Sequence, residues 1–256
     1  MARIKAPPKS TYEAHWDFRF EERDSLAEEL MTRPTRNNHE NGVLWIEYFE
    51  ERRYQVLEPI LLRLLKPGST ALDVGCGDSL IAMVAENHDL DVHITGIDIS
   101  EGLLEHNSER WPQHEWVQGD ATDPAPGRTF DLVHAGEIIE HLDDRPPALD
   151  NWCECVAPGG SLIVTTPTPT LKFPEGQHVG FESQGDIRQA MARHGIKLKE
   201  SYGIGFFVPF HAKLIFRFAD VGFRDNLYKW TLRATHRCPT LATQAVYVGV
   251  KQGSKG

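Results

Sequence analysis

Short apolar runs and amphipathic segments alternate through the middle of this chain. Thr70–Val74 is an apolar run followed at once by Gly75 and Gly77. It reads as a buried strand that turns tightly into a helix capped by Asp78 or Ser79. Val92–Asp98 predicts a second strand, with Ser100 capping a helix to about Arg110, and Glu115–Gln118 a short third. Phe130–Ala135, Ser161–Thr165, Lys197–Tyr202 and Gln244–Lys251 read as further strands, and Pro147–Val156 and Asp186–His194 as helices, the latter stopped by Gly195. Strand and helix in turn predict an α/β fold: a doubly wound, seven-stranded sheet, mostly parallel with a terminal antiparallel strand.

Either side of this alternation the pattern changes. Residues 1–66 read as an N-terminal helical arm: a charged run from Asp17 to Glu29, then apolar residues at helical spacing between Leu44 and Leu65, interrupted at Pro59 and ended by Lys66-Pro67-Gly68. Residues 67–252 read as the main domain. Within it, 203–237 is an insertion rich in Phe, Tyr and Trp, readable as a satellite core or as a cap that shapes a substrate pocket. Residues 166–181 form a long loop bearing Pro and Gly.

Composition narrows the function. Hydrophobic residues at 40% and charged residues at 25% are ordinary for a globular protein. The net charge of −10 argues against nucleic-acid binding over the whole surface. Between His211 and Arg237 the sign reverses, with Lys213, Arg217, Arg224, Lys229, Arg233 and Arg237 against Asp220 and Asp225. That stretch suits a solvated face, an anionic partner or peripheral contact with a membrane surface. No apolar stretch approaches the roughly 20 residues needed to span a bilayer, and the charged start has no apolar core of a secretory signal. Cys76, Cys153, Cys155 and Cys238 are scattered and suit a reducing, cytoplasmic setting; the Cys-x-Cys spacing is wrong for a zinc knuckle.

The glycine turn is where chemistry is expected. Glycine lets main chain approach a ligand closely at the carboxyl edge of a parallel sheet, a nucleotide-type site. A dinucleotide fingerprint would need glycine at position 80, where Leu80 stands, and the Gly-Lys-Ser/Thr of a phosphate-binding loop is missing as well. Asp98 ends the second strand about 20 residues past the turn, where a carboxylate can accept both ribose hydroxyls. Asp120 follows the third strand and adds a second carboxylate acceptor at that edge, next to the Ala121 amide.

Taken in order, Leu72-Asp73-Val74-Gly75-Cys76-Gly77, Gly96-Ile97-Asp98-Ile99-Ser100, Gln118-Gly119-Asp120-Ala121, Phe130-Asp131-Leu132-Val133 and Leu162-Ile163-Val164 after Pro158-Gly159-Gly160 resemble the class I S-adenosylmethionine-dependent methyltransferases. The resemblance covers Thr70–Thr166 and departs at Asp78-Ser79, where many relatives carry a further glycine. It implies a Rossmann-like fold with S-adenosylmethionine as cofactor. The cofactor would be held by Asp73, Gly75, Cys76, Gly77, Asp98, Ile99, Asp120, Ala121 and Glu137. Asp73 is expected to act on the methionine portion, through water or the ammonium group.

The segment Glu137-Ile138-Ile139-Glu140-His141-Leu142 follows the fourth strand. If helical from Glu137, it places Glu137, Glu140 and His141 on one face and turns the apolar residues inward. Two carboxylates and an imidazole suit Mg²⁺, Mn²⁺ or Zn²⁺, with His178 as a fourth ligand. The pattern is similar to the ubiquinone-biosynthesis O-methyltransferases and to small-RNA 3′-terminal 2′-O-methyltransferases. The metal-free alternative makes His141 a general base held by Glu140, with His178 as ligand or base. His134 and His211 by themselves read as hydrogen-bonded structural residues. The expected activity is O-methylation of a small hydroxylated metabolite. An RNA terminal-ribose methyltransferase, a metal-free N- or C-methyltransferase and a binding module without catalysis remain as alternatives.

Overall fold

The computed structural model describes residues 53–125, 127–168, 184–204, 242 and 244–253. The charged run from Asp17 to Glu29, His178, His211, Cys238 and most of the basic, aromatic insertion lie outside these residues. Helix α1 spans 53–64 and carries Leu57, Ile60 and Leu61 into the core. Pro59 does not interrupt it. Pro59 is exposed, and burying three large apolar side chains at about 1.5–3 kcal/mol each offsets the roughly 3 kcal/mol cost of an interior proline.

The rest alternates: β1 (Ser69–Val74), α2 (Leu80–Asn87), β2 (Val92–Asp98), α3 (Glu101–Arg110), β3 (Glu115–Gln118), β4 (Phe130–Gly136), a 3₁₀ turn (Ile139–His141), α4 (Arg145–Glu154), β5 (Val156–Pro167), α5 (Gln184–Arg193), β6 (Ile196–Ile204) and β7 (Gln244–Lys251). The seven strands form one sheet in the order β3-β2-β1-β4-β5-β7-β6. The first five are parallel. β7, terminal in sequence, is inserted between β5 and β6 and runs antiparallel to both. α4 starts two residues before its expected Pro147 because prolines are accommodated in a first turn, where an N–H would lack a partner anyway.

Alternation along the strands feeds two cores. One face, with Leu72, Val74, Val133, Ala135, Val164 and Tyr247, packs on α4 and α5 through Trp152 and Met191. The other, with Ala71, Leu132, Ile163 and Val246, packs on α1 and α2. On this second face the pattern turns polar at the carboxyl edge. Asp73 pairs in register with His134, Gly136 with Thr165, and Pro167 with Gln244. Period-two alternation puts Asp73, His134, Thr165 and Gln244 in a row above the apolar residues of the same strands.

Candidate functional site

The turn after β1 is held from below and from the side. Gly75 has φ +61°, and a Cβ there would lie 2.8 Å from Ile138 Cδ1, so only glycine fits on both counts. Ser79 caps α2, accepting from the Ala82 amide at 3.3 Å, and its hydroxyl donates to Asp73 Oδ2 at 2.8 Å. Asp73 Oδ1 lies 2.7 Å from Nδ1 of His134, and Asp73 is only 2% exposed. Both its oxygens are thus engaged inside the protein. Through these two bonds Asp73 shapes the turn from beneath.

Asp98 works on the same turn. Its Oδ2 accepts from the Gly77 amide at 2.9 Å and its Oδ1 from the Ser100 amide at 3.0 Å. Each carboxylate oxygen retains a second lone pair for a ligand hydroxyl. Burial holds the Asp98 carboxyl above its usual range, opposed by these amide bonds. Asn107 of α3 donates to the Gly77 carbonyl at 2.7 Å, a support that the sequence reading missed. Cys76 is buried among acids, which pushes its thiol well up, so it contributes main chain to the site and no reactive sulfur.

Asp120 is exposed at the end of β3. Its Oδ1 accepts both the amide and the hydroxyl of Thr122, each at 2.8 Å, which fixes its direction. Ala121 is anchored through its carbonyl, which accepts from Trp152 Nε1 at 2.7 Å. Ile99 sits half-buried between Asp98 and Ser100. The expected nucleoside-binding acids, Asp98 and Asp120, therefore stand along one edge on neighbouring strands.

The segment after β4 departs from expectation. Glu137 has φ +54°, a left-handed conformation that costs an L residue about 1–2 kcal/mol, so no helix starts there. Only the turn Ile139–His141 coils, and the shared face of Glu137, Glu140 and His141 does not form. Glu137 Oε2 accepts from Gln244 Nε2 at 2.9 Å. Glu140 is instead 1% exposed, with Thr166 Oγ1 at 3.5 Å from its Oε2 and His141 Nε2 at 3.9 Å from its Oε1. Burial, then the neighbouring Glu137, pushes Glu140 well above the usual carboxylate range. Burial also raises Glu137, partly countered by the charge of Arg53 at the start of α1.

Among the described residues no three His, Cys, Asp or Glu converge as a metal-holding set. Glu137 turns toward β7 while Glu140 turns into the core, which is why the expected trio does not assemble; His178 lies outside the described residues. These side chains do not fit a resident divalent ion, and no step below passes through one. Burial also raises Cys153 to about 12 and lifts Cys155, consistent with core thiols. His134, Thr165, Thr166 and Gln244 were not expected at the site. Their only sequence signal is a polar residue at the end of an otherwise apolar strand.

A glycine turn and two acids on the carboxyl edge of a sheet in this order define a class I, S-adenosylmethionine-dependent methyltransferase architecture. The family model for a methyltransferase domain matches residues 48–201, and the chain belongs to that family. It is 36% identical over 107 residues to a phosphoethanolamine N-methyltransferase of Triticum aestivum, covering 40% of this chain and 21% of that protein. It is 30% identical over 127 residues to a trans-aconitate 2-methyltransferase of Methylobacterium radiotolerans, covering 50% and 49%. A demethylmenaquinone methyltransferase of Lysinibacillus sphaericus is 36% identical over 116 residues, covering 43% and 49%. The chain thus spans half or less of the length of these curated relatives.

Solved structures share the fold. The N-methyltransferase NodS of Bradyrhizobium japonicum aligns with a TM-score of 0.54 at 17% identity, over 80% of this chain and 97% of that one. A Haemonchus contortus phosphoethanolamine N-methyltransferase 2 in complex with S-adenosyl-L-methionine aligns with a TM-score of 0.51 at 16% identity, over 76% and 52%. No helix among the described residues is long and apolar enough to cross a membrane.

Proposed function

We propose that this chain transfers the methyl group of S-adenosylmethionine to a hydroxyl of a small acceptor. The observation that carries the reading is the buried Glu140–His141 pair, 3.9 Å apart, in the turn whose Ile138 packs against Gly75. Ile138 brings the start of this short turn against Gly75, and the pair follows two and three residues on. A hydroxyl must lose its proton as it attacks, and an imidazole backed by a carboxylate is suited to take it near neutral pH. The names of the curated relatives point to small-molecule acceptors, and none of the three names a hydroxyl.

S-adenosylmethionine, when bound, supplies a methyl group on a positively charged sulfur. The residues of this chain do the rest. Asp98 accepts from the ribose hydroxyls and Asp120 from the adenine amino group. Gly75 and Gly77 let the main chain approach the remainder, and Ile138 closes the turn from above. The acceptor oxygen is aligned at the end of β4, and such alignment contributes on the order of 7–11 kcal/mol. Transfer would exchange the S–CH3 bond for the new C–O bond and release S-adenosylhomocysteine, and His141 would take the hydroxyl proton. Glu140, its carboxyl held up by burial, is drawn toward its ionised form as the imidazolium develops, so the two groups hold one added proton between them.

The test is methyl transfer from labelled S-adenosylmethionine to a panel of hydroxylated acceptors, with chelator present. His141→Gln should lower kcat by about 10²–10⁴ with the affinity for S-adenosylhomocysteine unchanged. Transfer to carbon alone, or activity that a chelator abolishes, would overturn the reading.

A further inference from the structure

The polar row on the α1–α2 face ends in atoms whose hydrogen-bonding capacity is unmet. Gln244 is 8% exposed and spends its amide N–H on Glu137, which leaves its own Oε1 buried without a partner. Glu137 Oε1 is likewise buried and unpartnered. Thr165, fully buried, has its hydroxyl within hydrogen-bonding reach of the Glu137 carboxylate. His134 Nε2 is a third buried atom without a partner. It lies over Gly136, where a Cβ would come within 2.9 Å of Nε2 and 3.5 Å of Thr165 Oγ1.

An unpaired buried polar atom costs about 1–3 kcal/mol, so three together call for an occupant. The chain brings them together at one place. Glu137 N–H donates to the Thr165 carbonyl at 3.0 Å, and Gln244 bonds Glu137 at 2.9 Å, joining the carboxyl ends of β4 and β5 to the start of β7. The backbone at Glu137 is held in its left-handed conformation to achieve this.

The two strongest of these atoms, a carboxylate oxygen and an amide carbonyl, can only accept while Glu137 is ionised. A hydroxyl offers one proton and satisfies one of them. A protonated amine offers up to three, with a charge that matches the acid. Arg53 contributes charge to both Glu137 and Glu140, yet Glu137 Oε1 remains without a hydrogen bond. We propose that Glu137, Thr165 and Gln244 form a subsite that recognises an amino group carried by the methyl acceptor. The inference rests on the acceptor reading above and names a second feature of that acceptor.

The test uses the full chain saturated with S-adenosylhomocysteine and two probes of matched size, 2-aminoethanol and ethylene glycol, followed by ligand-observed NMR. The amino probe should bind and the glycol should not. Gln244→Met and Thr165→Val should each weaken the amino probe about tenfold, with affinity for S-adenosylhomocysteine within about twofold of the parent. Equal binding of both probes overturns the proposal, and this comparison needs no variant to fold. Binding of 2-aminoethanol to the ligand-free chain that saturating S-adenosylhomocysteine abolishes also overturns it, by assigning the subsite to the cofactor's own amine, as does a requirement for Mg²⁺. A chain that fails to bind S-adenosylhomocysteine at all defeats the methyltransferase reading instead.

Discussion

His134 Nδ1 lies 2.7 Å from Asp73 Oδ1, across two parallel strands paired in register. The contact is buried, and Asp73 takes its second bond from Ser79, itself held at φ +41° as the cap of α2. One carboxylate therefore ties β4, the glycine turn and the following helix together. Asp73→Ala leaves the Ser79 hydroxyl and the His134 ring without their shared acceptor. It should cost about 2–4 kcal/mol of stability, read as a lower urea midpoint with unchanged slope. Affinity for S-adenosylhomocysteine should fall with it, because the turn loses its support.

Asp98 gives a pH dependence whose two readouts have opposite signs. Burial raises its folded-state pKa above the unfolded value. The folded protein therefore binds more protons through the window between the two, and stability contributed by this group falls as pH rises through it. Ligand hydroxyls need the ionised carboxylate. Acidification into the same window should thus weaken S-adenosylhomocysteine, beginning above the ordinary carboxylate range, while this group's own term favours the folded state. Asp98→Asn should weaken binding about tenfold or more by removing a charged acceptor and should flatten this part of the pH profile, measured by calorimetry.

The thiols make a simpler prediction. Cys76, Cys153 and Cys155 are buried and unpaired, with thiols raised by burial. An inert thiol is a protonated and inaccessible one. In the native Cys238→Ser variant, a disulfide reagent at pH 8 should give no fast phase, and colour should appear only on unfolding.

Much of this architecture is legible in the chain because strand ends and helix caps coincide. Asp98 closes β2 and Ser100 caps α3 two residues later, so both bounds are marked locally. The same holds for Ser79 and α2. The position of β7 between β5 and β6 is set by pairing over long sequence separations, and no local residue announces it. β5 runs from Val156, earlier than expected, because its start is absorbed by a shift in register against Phe130 and Leu132. At the site, the positions of Asp98 and Asp120 on the sheet's carboxyl edge were legible because each follows a strand. The Glu137 segment was not. Its spacing mimics a helical face, and nothing in the sequence marks a non-glycine residue with positive φ. His134 was equally silent, since its importance lies in register with Asp73.

Glu137 offers the sharpest separation of stability from function. Its left-handed backbone costs about 1–2 kcal/mol relative to glycine, and its carboxyl is buried with one oxygen unpartnered. Strain of this kind persists where the surrounding structure overdetermines it, and it gathers at binding and catalytic positions. Glu137→Gly relieves the backbone and removes the unpaired oxygen, at the loss of the bonds from Gln244 and Thr165 and of the charge facing Arg53. These terms are of similar size and opposite sign, so thermal unfolding should shift little. Methyl transfer should nevertheless fall by about tenfold or more, because the lost group is an acceptor for a charged donor. A variant that is both less stable and fully active would show that Glu137 is a structural residue, and that its unusual backbone serves the turn alone.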